Sequence, residues 1–170
     1  MDKIQTYHSF PLRYVVAYNA FSLTVYALGA AIVAPVGWWA VGLYLLFCLG
    51  VEFNVVRRSC VDCHYYGTTC ASGRGRLCAL LFKKGDPARF AAREISWAAL
   101  IPDFLVFIIP AVVGAVLLVI DFSWLRAALI GAIVVVSFAG NAIVHTAFAC
   151  KYCKQREIGC PAERLFAKER

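Results

Sequence analysis

The sequence predicts an all-α integral membrane protein: four transmembrane helices as two pseudo-repeated hairpins, with a cytoplasmic cysteine-rich loop and C-terminal tail. Three observations carry this expectation. The 170 residues are 62% hydrophobic and only 16% charged, with a mean hydropathy of +0.72, too apolar for a globule that must present a polar surface to water. The charges avoid four long stretches, each of about the 20 residues that a helix needs to cross a hydrocarbon core. Finally, one cysteine spacing occurs twice, once after each pair of apolar stretches. This composition excludes a soluble enzyme, a secreted disulfide scaffold and an intrinsically disordered chain.

Residues 1–13 form a short polar lead-in, with Pro11 expected to stop any helix before the membrane. The first span, about 14–34, contains no charge. It is too long, and too interrupted by Asn19, Ser22 and Thr24, for the apolar region of a cleaved signal peptide. Pro35 marks an external turn, and Trp38-Trp39 suits an interfacial aromatic belt. The second span, about 36–56, carries only Glu52 and ends at Arg57-Arg58.

Residues 57–94 form the one sizeable extramembrane segment. Leu77–Phe82, followed by Lys83-Lys84, is expected to lie along the membrane surface as an amphipathic piece. Asp86-Pro87 is expected to open a short helix with proline in its first turn. The third span, about 95–120, carries only Asp103 among charged residues, and Pro102 and Pro110 predict kinks. Asp121–Trp124 makes a tight external turn. The fourth span, about 127–149, is uncharged, with Ala127, Gly131, Ser137 and Gly140 allowing close helix approach.

All but one of the 17 Lys and Arg residues lie before the first span, between the second and third, or after the fourth; Arg126 alone falls in an outer turn. Such a bias marks the cytoplasmic side. The expected location is therefore the cell (inner) membrane, with both termini and the middle loop in the cytoplasm. The net charge of +7 then points to anionic lipid rather than to nucleic acid, for which no binding motif is present. Arg74, Arg76, Lys83 and Lys84 are the expected lipid head-group contacts. Membrane lipids are the expected partners, with other membrane subunits or further copies of this chain beside them. The Gly67…Gly73-Arg74-Gly75-Arg76 stretch lacks the lysine–serine ending of a phosphate loop. Tyr65-Tyr66 is expected to anchor at the membrane interface.

Six of the eight cysteines follow the spacing C-x2-C-x6-C: Cys60, Cys63 and Cys70 after the second span, and Cys150, Cys153 and Cys160 after the fourth. Weaker internal likeness relates Leu81–Lys84 to 165–168. In a reducing cytoplasm, closely spaced thiols point to metal ligation or redox chemistry rather than to stable disulfides. A C-x2-C pair places two sulfurs within reach of one ion, as at tetrahedral zinc knuckles and many iron–sulfur sites. Zinc is the expected ion and an iron–sulfur cluster the alternative; Cys160-Pro161 echoes one ferredoxin ending. Two ligand sets are open. Cys60, Cys63, Cys70 and Cys78 complete one local site, leaving Cys150, Cys153 and Cys160 to find a fourth ligand, with His64 a candidate. Alternatively, Cys60, Cys63, Cys150 and Cys153 share one ion. Cys48, mid-span between Phe47 and Leu49, is a small apolar core residue.

Asn19, Glu52, Asp103, Asn141 and His145 all lie within roughly 6–12 Å of the expected cytoplasmic boundary at 1.5 Å of rise per residue. A charge in hydrocarbon costs at least about 2.5–3.5 kcal/mol, so these groups are expected to face inward as a polar layer. Such a layer fixes helix register, or else serves as a pocket for a metal ion, a proton path or acid–base chemistry.

The resulting expectation is a membrane protein with a cytoplasmic cysteine-ligated metal site, structural or redox-active within a membrane assembly. Two alternatives stand beside it. One is a membrane enzyme acting on a lipid or isoprenoid through Asp103, His145 and Glu52. The other is a soft-metal transporter delivering an ion to the thiols.

Overall fold

The structure, a computed structural model, describes residues 6–93 and 96–161, except for the side chains of 145–147. It is all-helical: no strand forms among the described residues, and the only β-type pairing is an isolated parallel bridge between Tyr7 and Cys153. In chain order the α-helices are α1 (Leu12–Val33), α2 (Trp38–Val55), α3 (Arg74–Leu81), α4 (Pro87–Ala92), α5 (Trp97–Ile120), α6 (Trp124–Val135), α7 (Asn141–Ile143) and α8 (Gln155–Gly159).

Four stretches are long and apolar enough to cross a membrane: Leu12–Val36, Trp38–Cys60, Trp97–Ile120 and Trp124–Ile143. Only 6% to 22% of the most apolar window in each is buried inside the protein. Helices of such hydropathy with so little internal burial need an apolar medium around them. Their limits differ modestly from expectation. Helix α1 begins directly after Pro11, which presets the φ of a helical first turn rather than delaying it. Ala34–Val36 form a 3₁₀ turn that is still part of the first stretch, so α2 starts at Trp38. The second stretch is prolonged by a π-helical turn at Val56–Cys60. The fourth starts earlier, at Trp124, and is not one regular helix: π-helical turns at Val136–Gly140 and Val144–Ala149 flank α7.

The chain divides into two compact units. One comprises residues 20–52 and 101–142. Its core joins Val25, Ile32 and Val33 of α1, Tyr44, Cys48 and Val51 of α2, Val106 of α5 and Ile133 of α6. At Gly29 an added Cβ would run into the Tyr44 ring, so the glycine gives that ring its seat. The Tyr44 hydroxyl donates to the Val106 carbonyl at 3.0 Å. Backbone chemistry explains the choice of partner. Pro110 has no N–H, so the carbonyl four residues earlier, that of Val106, loses its helical donor. An orphaned carbonyl in an apolar core costs several kcal/mol, and a tyrosine from a different helix supplies the proton.

Arg126, the one basic residue outside the expected cytoplasmic segments, also has a local role. Its guanidinium donates to the Leu117 carbonyl at 2.8 Å and to the carbonyl of Asp121, and it pairs with the Asp121 carboxylate at 2.9 Å. Leu117 lies in the last turn of α5, where a cation complements the helix dipole, and its carbonyl also accepts the N–H of Asp121, the residue that follows the helix, at 3.0 Å.

The other unit comprises 1–19, 53–100 and 143–170 and contains seven of the eight cysteines. Helix α3 covers the segment expected to be amphipathic. Leu77, Leu80 and Leu81 are exposed, whereas Gly75 and Cys78 are buried. Helix α4 begins as expected at Pro87, with the Asp86 side chain accepting the Ala88 N–H at 2.9 Å as its N-cap.

Candidate functional site

The two C-x2-C motifs fold into the same local turn. The Cys63 N–H donates to the Cys60 carbonyl at 3.4 Å, and the Cys153 N–H to the Cys150 carbonyl at 3.2 Å. The chain then turns again: the Tyr66 N–H reaches the Cys63 carbonyl at 3.1 Å, and the Arg156 N–H reaches that of Cys153 at 3.2 Å. Tight turns of this kind aim main-chain N–H groups inward at the sulfur. The Tyr65 N–H acts on the Cys63 sulfur, and those of Gln155 and Arg156 act on Cys153. Cys70 accepts the Gly75 N–H at 3.3 Å. Donors directed at sulfur favour its anionic form, the form that binds metals.

The two motifs also lie against each other within the cysteine-bearing unit. Gln155, buried just after the second motif, accepts the His64 N–H at 2.8 Å through Oε1, with the Cys63 sulfur 3.9 Å from the same oxygen. The Tyr65 hydroxyl accepts the Lys154 N–H at 2.9 Å and donates to the Tyr7 carbonyl at 2.5 Å. Tyr7 in turn donates its N–H to the Tyr152 carbonyl at 3.0 Å. The lead-in, expected to be merely polar, is thus threaded between the two cysteine segments. Phe10, only 4% exposed, donates its N–H to the Thr69 carbonyl at 2.8 Å and stacks near Tyr65, with ring centroids 5.5 Å apart.

Tyr65 departs from its expected role. It is 2% exposed rather than interfacial, and burial pushes its hydroxyl up to about 12. Tyr66 donates to the Phe82 carbonyl at 2.7 Å. Tyr7 and Gln155 are the residues that sequence reasoning missed, and Tyr65 it read for a different role. For Tyr65 and Gln155 the only signal was a position beside the cysteines, because what they join lies some 90 residues apart in the chain; Tyr7, far from any cysteine in sequence, carried none.

Burial pushes the Cys63 thiol up to about 11; the sulfurs of Cys153, Cys70 and Cys160 raise it further and the Tyr65 N–H opposes them. Burial likewise raises Cys153, with Cys160 and Cys70 as sulfur neighbours. Cys60 has Cys70, Cys63 and Cys78 around it. Sulfurs of both motifs are therefore close enough to feel one another. They are gathered but not converged: among the described residues, no three His, Cys, Asp or Glu side chains are placed to hold one ion. Cys78 is fully buried, its thiol 3.7 Å from the Val56 carbonyl. The His64 ring stands edge-on to Tyr65 at 5.3 Å, held below its ordinary pKa by burial and by the Lys154 ammonium.

The polar residues of the spans divide between the units. Asn19 falls in the cysteine-bearing unit and is a backbone tie, donating to the Val15 carbonyl at 2.7 Å and to that of Ser72 at 3.1 Å. Glu52, Asp103 and Asn141 fall in the apolar unit. Glu52 accepts the Tyr26 hydroxyl at 2.6 Å, whereas Asp103 and Asn141 are exposed on their helices. Asp103 is the seventh residue of α5, about 9 Å from its start. The side chain of His145 lies outside the described residues. Of the expected head-group contacts, Arg76, Lys83 and Lys84 lie on or just after α3, and Arg74 stands over the Tyr18 ring at 5.5 Å.

Comparison with protein families, with curated proteins and with solved structures finds no match to this chain.

Proposed function

We propose that this chain is a multi-pass protein of the inner membrane, both termini cytoplasmic, whose paired cysteine motifs hold a zinc ion that clamps its cytoplasmic segments within a membrane assembly. The observation that carries this reading is the contact between the motifs: Gln155 and Lys154, beside the second, are hydrogen-bonded to His64 and Tyr65, beside the first. The repeated turn adds to it, because main-chain N–H groups directed at Cys63, Cys70 and Cys153 suit metal-bound thiolates. Cys60, Cys63, Cys70, Cys150, Cys153 and Cys160 are the ligand candidates, four of which suffice for a tetrahedral zinc. Cys78 is the packing residue beneath them. Deprotonation and rotation of the thiols accompany binding, so metal affinity and folding of this unit are coupled. The bias of Lys and Arg supports the orientation, and the same repeat supports two related hairpins.

Elemental analysis of protein purified without oxygen tests the proposal. Stoichiometric zinc in the wild type is expected. Cys153→Ser should lose it and melt at a lower temperature, while Cys48→Ala, in the apolar core, should keep it. Iron with visible absorption would replace zinc by a cluster. Metal-free wild type, or Cys153→Ser with unchanged metal and melting, would overturn the proposal.

A further inference from the structure

A groove opens on the cysteine-bearing unit, with no cysteine in its lining. Tyr14, Ala17 and Tyr18 of α1 line it together with Ala71, Val144, Phe148 and Ala149, and the lining is apolar. Cations stand on two of its aromatic rings and on a neighbouring one. The Arg13 guanidinium lies 5.2 Å from the centroid of Tyr14, and that of Arg74 lies 5.5 Å from Tyr18. The Tyr152 ring, 6.0 Å from Tyr14, carries the Lys151 ammonium at 5.4 Å. Among the described residues, no acidic one lines the groove.

We infer that this groove is a binding site for one anionic phospholipid, its acyl chain against Tyr14, Ala17, Tyr18 and Phe148 and its phosphate facing Arg13, Arg74 and Lys151. Charge complementarity selects the occupant. Hydrocarbon alone would suit any lipid, but two cations on groove tyrosines and a third on the neighbouring Tyr152 favour a net negative head group. Tyrosine rings with an apolar body and a polar tip suit the level of the bilayer at which head group meets chain. The site uses none of the thiols, but Lys151 and Tyr152 lie between Cys150 and Cys153, so the variants that test it are placed on the first helix and its start, at Arg13 and Ala17, away from the motif.

The test uses the full chain in discs of phosphatidylcholine alone or of phosphatidylcholine with phosphatidylglycerol. Retained lipid is measured by mass spectrometry after detergent washing, with melting and metal content followed in parallel. Wild type is expected to retain phosphatidylglycerol in preference and to melt higher in its presence. Arg13→Gln should weaken the preference about fivefold, the equivalent of ~1 kcal/mol for one cation near an anionic surface. Ala17→Leu, which fills the groove and leaves every charge in place, should remove the preference, with metal content unchanged in both variants. Equal retention of the two lipids by wild type overturns the inference. Undiminished preference in Ala17→Leu overturns it in favour of diffuse attraction to a basic surface. Displacement of the lipid by inorganic phosphate overturns it in favour of a free-anion site.

Discussion

The two units of this protein are stabilised in opposite ways. In residues 20–52 and 101–142, aliphatic side chains, one tyrosine and one cysteine from four helices make the buried core, and a cross-helix polar bond, Tyr44 to Val106, repairs a gap left by proline. In the cysteine-bearing unit the helices α3, α4 and α8 are eight residues or fewer, too short to be stable alone. Specific ties hold it instead: Tyr65 to Tyr7 and Lys154, Gln155 to His64, Phe10 to Thr69, and Asp62 to the chain before α4. Non-directional packing tolerates variation, whereas a lattice of directed bonds fails locally when one seat is filled wrongly. Nature has placed a reporter in each: Cys78 in one and Cys48 in the other are buried thiols, so labelling rates in detergent read the two units separately.

The largest effect is expected at Gly75. An added Cβ there would meet the backbone oxygens of Tyr65 and Thr68, and neither can move without breaking the turn after the first cysteine motif. Gly75 also gives its N–H to the Cys70 sulfur and accepts the Gly67 N–H at 3.0 Å. Gly75→Ala should therefore cost about 2–3 kcal/mol, as overpacking of rigid neighbours does. The loss should be confined to one unit: Cys78 should label much faster with a maleimide while Cys48 stays protected. Equal acceleration of both thiols would show that the two units melt as one.

Tyr44→Phe makes the converse test, with a somewhat smaller effect. It leaves the Val106 carbonyl without a donor, at an expected cost of about 1–2 kcal/mol, and Cys48 should now be the thiol that gains reactivity. Pro110→Ala restores a backbone N–H to the same carbonyl, so the hydroxyl should matter less in that background. A double-mutant cycle measured by reversible unfolding should give a coupling energy of about 1 kcal/mol between positions 44 and 110. Strict additivity would mean that the tyrosine bond and the missing proline donor are unrelated.

These contrasts also explain how much the sequence could disclose. The spans were legible because a bilayer imposes a one-dimensional rule, a run of uncharged residues of fixed length, and Asp86-Pro87 was legible because a cap and its helix are neighbours in the chain. Pro110 announced a disturbance in α5, but nothing local named Tyr44, 66 residues earlier, as its remedy. The cysteine spacing announced twin motifs, yet the ties between them run through Tyr7, Tyr65 and Gln155, residue types with no motif of their own. Asp103 and Asn141 were expected to face inward on the rule that hydrocarbon rejects polar groups. That rule names the medium a polar group avoids but not the helix face it takes, and both residues stand exposed on their helices.

The smallest effect sharpens the account of how the cysteine-bearing unit is tied. Asp62, between two cysteines of the first motif and 7% exposed, accepts the Asp86 N–H at 3.0 Å and pairs with Arg93 at 3.4 Å. The arginine side chain is 35% exposed, and a pair open to solvent on one side contributes about 0.5–1 kcal/mol, less at high salt. Arg93 also donates to the Arg58 carbonyl at 2.7 Å, a bond that glutamine is too short to reproduce from the same position. Arg93→Gln should thus destabilise by about 1 kcal/mol, with part of the loss disappearing when wild type and variant are compared in molar salt. The salt-insensitive remainder measures the carbonyl contact. Should the whole difference vanish in salt, the ion pair alone would account for the tie, and the hydrogen bond to Arg58 would be energetically idle. Should none vanish, the directed bond rather than the charge is what fastens the segment before α5 to the first cysteine motif, as the contrast between the units requires.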